Sequence, residues 1–261
     1  MSRRPEHKVR IIILGSGTAT PILERNASGL AILTQDQWLL VDMGPGTLRR
    51  MCEAGIDHRW IDVVLLTHFH PDHVSDVVPF LFAANYAYSD RRIAPIHLIG
   101  PVGLEQFYDG LVGIYGDWIV PSEGRLIMKE MEIDGPGFFS RAGITVRSVP
   151  SVHAIPSLSY RIETSDVSIT ISGDSDYSEA LVSLSAGSDV LICECSFPDE
   201  MKVSGHMTPS EAGRVAALAG AKRLVLTHFY PPCDEVNVID QAVQAFDGPI
   251  VKAADLMIIE V

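Results

Sequence analysis

The sequence predicts an α/β protein in which sheets pack on sheets and helices flank them. Two observations carry that expectation: short β-rich runs open the chain, and helical patterns then alternate with apolar strands before the strands return. A third bounds it. With 261 residues, 47% of them hydrophobic, the chain has apolar material for one large core, so one domain over residues 1–261 is expected.

The opening runs, 9–14, 28–34 and 37–41, are separated by Gly- and Asn-containing turns of the kind hairpins require. Next come a helical pattern at 47–54, a strand at 63–67, a helix at 74–86, a strand at 96–99 and a helix at 102–115. Strands return at 144–149, 157–163 and 167–171. The last third alternates again, and its helix at 209–218 begins on Thr208-Pro209-Ser210-Glu211, a capping box with Pro at the first helical position, which gives Glu211 a structural task. Leu-Thr-His-Phe occurs at 66–69 and again at 226–229, each time closing an apolar strand, a hint of two related halves facing a central site.

Composition narrows the function classes. No apolar run reaches the length of a membrane span and the first residues lack a signal peptide's apolar stretch, so a soluble, cytoplasmic protein is expected, with no membrane partner. Cys52, Cys193, Cys195 and Cys233 form no Cys-x-x-Cys pair and read as buried small hydrophobes in a reducing compartment. The net charge of −13 disfavours broad nucleic-acid binding, whereas bound divalent cations would offset it where a small anionic ester substrate sits.

The informative stretch is Leu65-Leu66-Thr67-His68-Phe69-His70-Pro71-Asp72-His73, where an apolar strand runs straight into His68, His70, Asp72 and His73. His68 and His70 lie two apart in extended chain and point to one side, while Pro71 can start a helix that turns Asp72 and His73 back to the same space. A solvated polar loop is the alternative reading, but such a gathering directly behind a buried strand is costly without a cation. Imidazole and carboxylate without thiolate suit zinc first, with manganese or iron as other occupants. Two metals need more ligands, and candidates stand at later strand ends: His153, Asp174 and His228. His7, His58 and His97 receive no role.

These residues carry a resemblance that extends over nearly the whole chain: the sequence resembles the metallo-β-lactamase superfamily and, within it, the ribonuclease Z-like branch. The resemblance implies a four-layer αββα sandwich and two divalent metal ions. It implies that His68, His70 and His153 bind one metal, that Asp72, His73 and His228 bind the other, and that Asp174 bridges them. Asp42, in Leu40-Val41-Asp42-Met43-Gly44, matches the family's supporting acid. Glu194 and His206 match an acid–imidazole pair of the ribonuclease Z-like branch, so the catalytic residues implied are Asp72, Glu194 and His206. In that scheme the two ions lower the pKa of a shared water, and His206, kept protonated by Glu194, donates to the leaving alkoxide.

A metal-dependent phosphodiesterase acting on small or cyclic phosphodiesters is the leading expectation. Ribonuclease Z-type tRNA 3′ processing is the alternative, supported by Gly15-Ser16-Gly17-Thr18-Ala19-Thr20-Pro21 and by Arg25-Asn26, which resemble that family's first loop. Two departures count against tRNA. The family's Pro-x-Lys-x-Arg-Asn reads Pro21-Ile22-Leu23-Glu24-Arg25-Asn26 here, and the interval from His153 to Asp174 has room for two strands and a turn but not for the tRNA-gripping arm of bacterial ribonuclease Z. Sulfatase, lactonase or other ester chemistry is a further reading on the same metals, Glu194 and His206 telling against lactams. A scaffold with a relic site would lack ligands, and all are present. A homodimer is an assembly the resemblance leaves open. Between His73 and His153, Tyr86, Tyr88, Tyr108, Tyr115, Trp118, Phe138 and Phe139 either shape a pocket, form a dimer contact or fill the core.

Overall fold

The computed structural model describes residues 9–34, 36–86 and 94–261. His7 and Tyr88 lie outside them. Two seven-stranded sheets face each other. The first holds β1 (Arg10–Gly15), β2 (Gly29–Leu33), β3 (Trp38–Met43), β4 (Ile61–Leu65), β5 (Ile96–Pro101) and β6 (Leu126–Met131). The second holds β7 (Gly137–Arg141), β8 (Ile144–Pro150), β9 (Leu158–Glu163), β10 (Ser168–Ile171), β11 (Val190–Glu194), β12 (Leu224–Thr227) and β13 (Ile250–Lys252). The last strand, β14 (Ile258–Glu260), crosses back to pair antiparallel with β1.

The helices are α1 (Thr47–Glu53), α2 (Pro71–Val74), α3 (Val77–Tyr86), α4 (Leu104–Tyr115), α5 (Glu179–Leu184), α6 (Pro209–Ala219) and α7 (Val238–Ala242). Alternation along the strands decides the layers. Ile11 and Ile13 of β1 join one buried cluster with Val146, Tyr160 and Ile171 of the other sheet, whereas Ile12 and Leu14 join a second cluster with Met51 of α1, Phe80 of α3 and Leu104 of α4. Successive strand side chains point to opposite faces, so one apolar run feeds two cores. The far face of the second sheet is covered by Val215 of α6 and Val238 of α7. The result is an αββα sandwich.

Topology then gathers the site. Strands β3 to β6 run parallel, as do β10 to β13, and the carboxyl ends of β3, β4, β10, β11 and β12 open at the rim where the sheets meet. Such ends are where α/β sheets place ligands. The two Leu-Thr-His-Phe segments stand at the ends of β4 and β12, one in each sheet, and deliver His68 and His228 to the same rim.

Three expectations need correction. The helix expected at 74–86 is two, because the chain at Ser75–Asp76 makes tertiary bonds instead: the Asp76 amide donates to the Met43 carbonyl at 2.9 Å and its Oδ2 accepts from the Leu48 amide at 2.8 Å. The helix expected from 102 starts at Leu104, since Gly103 holds φ at 100°. Cys52 is exposed, because the turn of α1 that buries Met51 sends its neighbour outward; the other three cysteines are buried. Of the aromatics between His73 and His153, Tyr108 and Phe139 are core, whereas Tyr86, Tyr115, Trp118 and Phe138 are exposed.

Candidate metal centre

Asp42, one residue before the end of β3, holds a left-handed conformation, φ 59°, which a non-glycine residue adopts only against a cost of roughly 1–3 kcal/mol. The conformation aims its buried carboxylate across to the loop after β4. Oδ1 accepts the Thr67 amide at 2.8 Å, and Oδ2 accepts the Thr67 hydroxyl at 2.9 Å and the His73 Nδ1–H at 2.7 Å. Thr67 passes the constraint on, since its Oγ1 lies 3.0 Å from His68 Nδ1. One acid thus orients two imidazoles.

The remaining rings are fixed likewise. His153 Nδ1 donates to the Gly205 carbonyl at 2.9 Å, and His228 Nδ1 donates to Ser196 Oγ at 3.1 Å, that hydroxyl being committed as donor to Glu194 Oε2 at 2.5 Å. In the neutral rings, therefore, His68, His73, His153 and His228 all turn an unprotonated Nε2 inward. Those lone pairs crowd: His73 and His228 Nε2 are 3.2 Å apart, and His70 Nδ1 sits 3.0 Å from His68 Nε2 and 3.2 Å from His153 Nε2. Outward N–H groups held by carbonyl, hydroxyl or carboxylate are the mark of metal-ligating histidines.

Asp174 stands in the middle. Its Oδ1 is 3.3 Å from His73 Nε2 and 3.3 Å from His228 Nε2, and its Oδ2 is 3.7 Å from His68 Nε2 and 3.9 Å from His153 Nε2. Oδ1 is buried without a hydrogen-bond partner. Donor atoms of His68, His70, His153 and Asp174 converge in one group and those of Asp72, His73 and His228 in a second; a third grouping joins Asp174, His206 and His228. An orphaned buried carboxylate oxygen between converging lone pairs is what a cation pair would satisfy, so the residues fit the group.

Electrostatics agree. Burial and the neighbouring His73 hold His68 down to about 2, so it stays neutral. Burial also opposes charge on His73, but Asp174 and Asp42 outweigh it and raise His73 well above the usual value. The carboxylates demand positive charge in a place where water cannot supply it.

Beside this cluster Glu194 ends β11, with Oε1 accepting the Ser175 amide at 2.8 Å and His206 Nδ1 at 3.0 Å. The His206 ring stacks on His228 at 5.9 Å. Burial lowers its basicity, yet the Glu194 contact raises it overall. The structure thus brings together every residue singled out from the sequence: His68, His70, Asp72, His73, His153, Asp174, His228, Asp42, Glu194 and His206. It adds two that sequence reasoning missed, Thr67 and Ser196, which link those groups. A cavity of about 300 Å³ opens against Asp72, lined by Thr18, Pro21, Ile22, Arg25, Asn26 and Pro45. None of the described aromatics between His73 and His153 lines it.

A two-sheet sandwich with this rim is the architecture of a metal-dependent hydrolase. The chain belongs to the beta-lactamase superfamily: the model for the beta-lactamase superfamily domain matches residues 37–229. It is similar to ribonuclease Z of Myxococcus xanthus, 29% identical over 97% of each chain, and to ribonuclease Z of Mycobacterium bovis, 28% identical over 97% of this chain and 98% of that one. Among solved structures, human tRNase Z, short form, superposes with a TM-score of 0.80 at 25% identity over 96% of this chain and 98% of that chain. The metallo-beta-lactamase fold protein YhfI from Bacillus subtilis shares the fold, with a TM-score of 0.82 at 24% identity over 98% and 100% of the two chains. The chain is a ribonuclease Z-like, metal-dependent hydrolase, and its fold implies two divalent cations. No helix among the described residues is long and apolar enough to cross a membrane.

Proposed function

We propose that this chain hydrolyses phosphodiester bonds, that zinc occupies its two cation positions, and that its substrate is RNA of the kind ribonuclease Z takes. The observation that carries the reading is the Asp174 carboxylate set between two His/Asp groups, with the Glu194–His206 pair opening on the same space. Borderline nitrogen and oxygen donors without thiolate favour zinc over harder ions.

His68, His70 and His153 would hold one cation, Asp72, His73 and His228 the other, with Asp174 between them. When bound, two such cations make water a competent nucleophile near neutral pH and stabilise charge on the substrate oxygens. The chain's own groups supply the rest. Asp42, directly and through Thr67, keeps the lone pairs of His73 and His68 aimed inward. Glu194 holds Nδ1–H of His206, leaving Nε2 as the proton donor to the departing alkoxide. Ser196 couples that donor to His228, since its Oγ lies 3.1 Å from Nδ1 of each.

Relatives named ribonuclease Z that match over nearly their full length support RNA above a small diester. Small or cyclic phosphodiesters are the second reading, and a specific observation favours them: β9 and β10 pair directly and fill the interval from His153 to Asp174, so no arm extends there. Arg25 supports that reading too, because its guanidinium is occupied by a two-pronged pair with Asp234 at 2.8 and 2.7 Å, and Leu23, 95% exposed, stands where the family has Lys.

The test is a side-by-side assay of zinc-loaded protein on a precursor tRNA carrying a 3′ trailer, bis(p-nitrophenyl) phosphate, an aryl sulfate and a lactone. A discrete tRNA 3′ end is the expected result. Rapid diester cleavage with intact tRNA would move the assignment to small diesters, and turnover of the sulfate or lactone alone would overturn the phosphodiesterase reading.

A further inference from the structure

The geometry points to Lys202 as a positioning residue for the His206 imidazole and, through Asp176 and Gly205, for His153. This rests on the phosphodiesterase reading only where rate is the readout. Lys202 follows the 3-10 turn Asp199–Met201, and its side chain is 32% exposed. It makes three contacts. Nζ donates to the His206 carbonyl at 2.6 Å, to Asp176 Oδ1 at 2.6 Å, and to Glu211 Oε2 in a short contact.

Each acceptor belongs to a different segment of the site. Asp176 follows the loop that carries Asp174; its Oδ2 accepts the Gly205 amide at 3.1 Å, and its own amide donates to the Val152 carbonyl at 2.8 Å. Glu211 also accepts the Thr208 amide at 3.0 Å in the capping box of α6, so its task extends beyond the cap. Gly205, at φ 87°, offers its carbonyl to His153 Nδ1. Gly205, the residue before His206, is therefore held on both sides, its amide by Asp176 and its carbonyl by His153, and Lys202 joins Asp176 to the carbonyl of His206 itself.

An exposed ion pair in isolation contributes little. Here the cation bridges two carboxylates and a main-chain carbonyl, and what it fixes is the placement of an imidazole whose other end is bound by Glu194. Rates fall steeply when such placement loosens by an ångström.

The experiment compares Lys202→Met, Lys202→Arg and Asp176→Asn with the zinc-loaded parent. We expect Lys202→Met to lower kcat on bis(p-nitrophenyl) phosphate by about tenfold to a hundredfold, with KM changed little and two zinc ions per chain retained. Lys202→Arg should recover part of the loss, because it restores the charge. Amide hydrogen exchange at Gly205 and His206 should quicken in Lys202→Met and Asp176→Asn but not in the strands of the second sheet. An unchanged kcat, or unchanged exchange at these two amides, would overturn the assignment. If the parent itself cleaves no diester, the phosphodiesterase reading fails while the exchange comparison still decides the role of Lys202.

Discussion

At the scale of single residues, four imidazoles, those of His68, His73, His153 and His228, donate outward through Nδ1 and leave Nε2 facing the space where a cation would sit. Asp174→Ala removes the one carboxylate among the described residues that faces both groups and should abolish turnover and one or both metals, read by elemental analysis; full metal content with normal rates would sink the bridging role. His206→Ala should keep both metals and lower kcat by about 10²- to 10⁴-fold, the usual range for a general acid. Thr67→Val keeps the shape but deletes the hydroxyl between Asp42 and His68, and a chelator-competition titration should find metal bound roughly 10- to 100-fold more weakly. The ligands were legible because His and Asp seldom crowd behind apolar strands. Thr67 and Ser196 were not, since hydroxyl residues are common and only the atoms facing them in the fold reveal what they link.

At the scale of elements, loops at strand ends carry the chemistry, and their tight contacts hold them in place. A Cβ on Gly44 would lie 2.1 Å from the Asp72 carbonyl, and one on Gly173, which already sits at φ 57°, would lie 2.9 Å from Thr67. Gly44→Ala should therefore cost more than the ~1 kcal/mol of an ordinary unfavourable Gly→Ala change and displace the Asp72 segment. Thermal unfolding together with metal content checks this: a variant with the parent's Tm and affinity would show that the loop yields freely. Strand β4 and the capped start of α6 could be read from apolar runs and from Thr208-Pro209-Ser210-Glu211, because those signals are local. The break at Ser75–Asp76 could not, because its cause lies in Met43 and Leu48, far away in sequence.

At the scale of the whole molecule, two sheets contribute opposing halves of one site, so bound cations would join loops that belong to different sheets. His68 and His73 come from the first sheet, and His153, Asp174 and His228 from the second. Chelation should lower the Tm and zinc should restore it, since a ligand at 100 times its Kd stabilises the native state by about 2.7 kcal/mol. Strands were legible as β-rich apolar runs such as the one holding Ile11, Ile12 and Ile13, but the order of the strands in the sheets was not. Pairing of β14 with β1 joins residues far apart in sequence, and no local pattern encodes it; sheet-on-sheet packing follows from the alternation of elements, whereas the four-layer αββα arrangement is what the resemblance implies.

The central claim is that this rim holds two cations and hydrolyses phosphodiesters with them. Its most direct test is to strip the protein with a chelator and follow bis(p-nitrophenyl) phosphate hydrolysis while zinc is added back. Activity absent at the start and rising until two zinc ions are bound per chain is the result predicted; hydrolysis that survives complete chelation, or none at any zinc content, would contradict it.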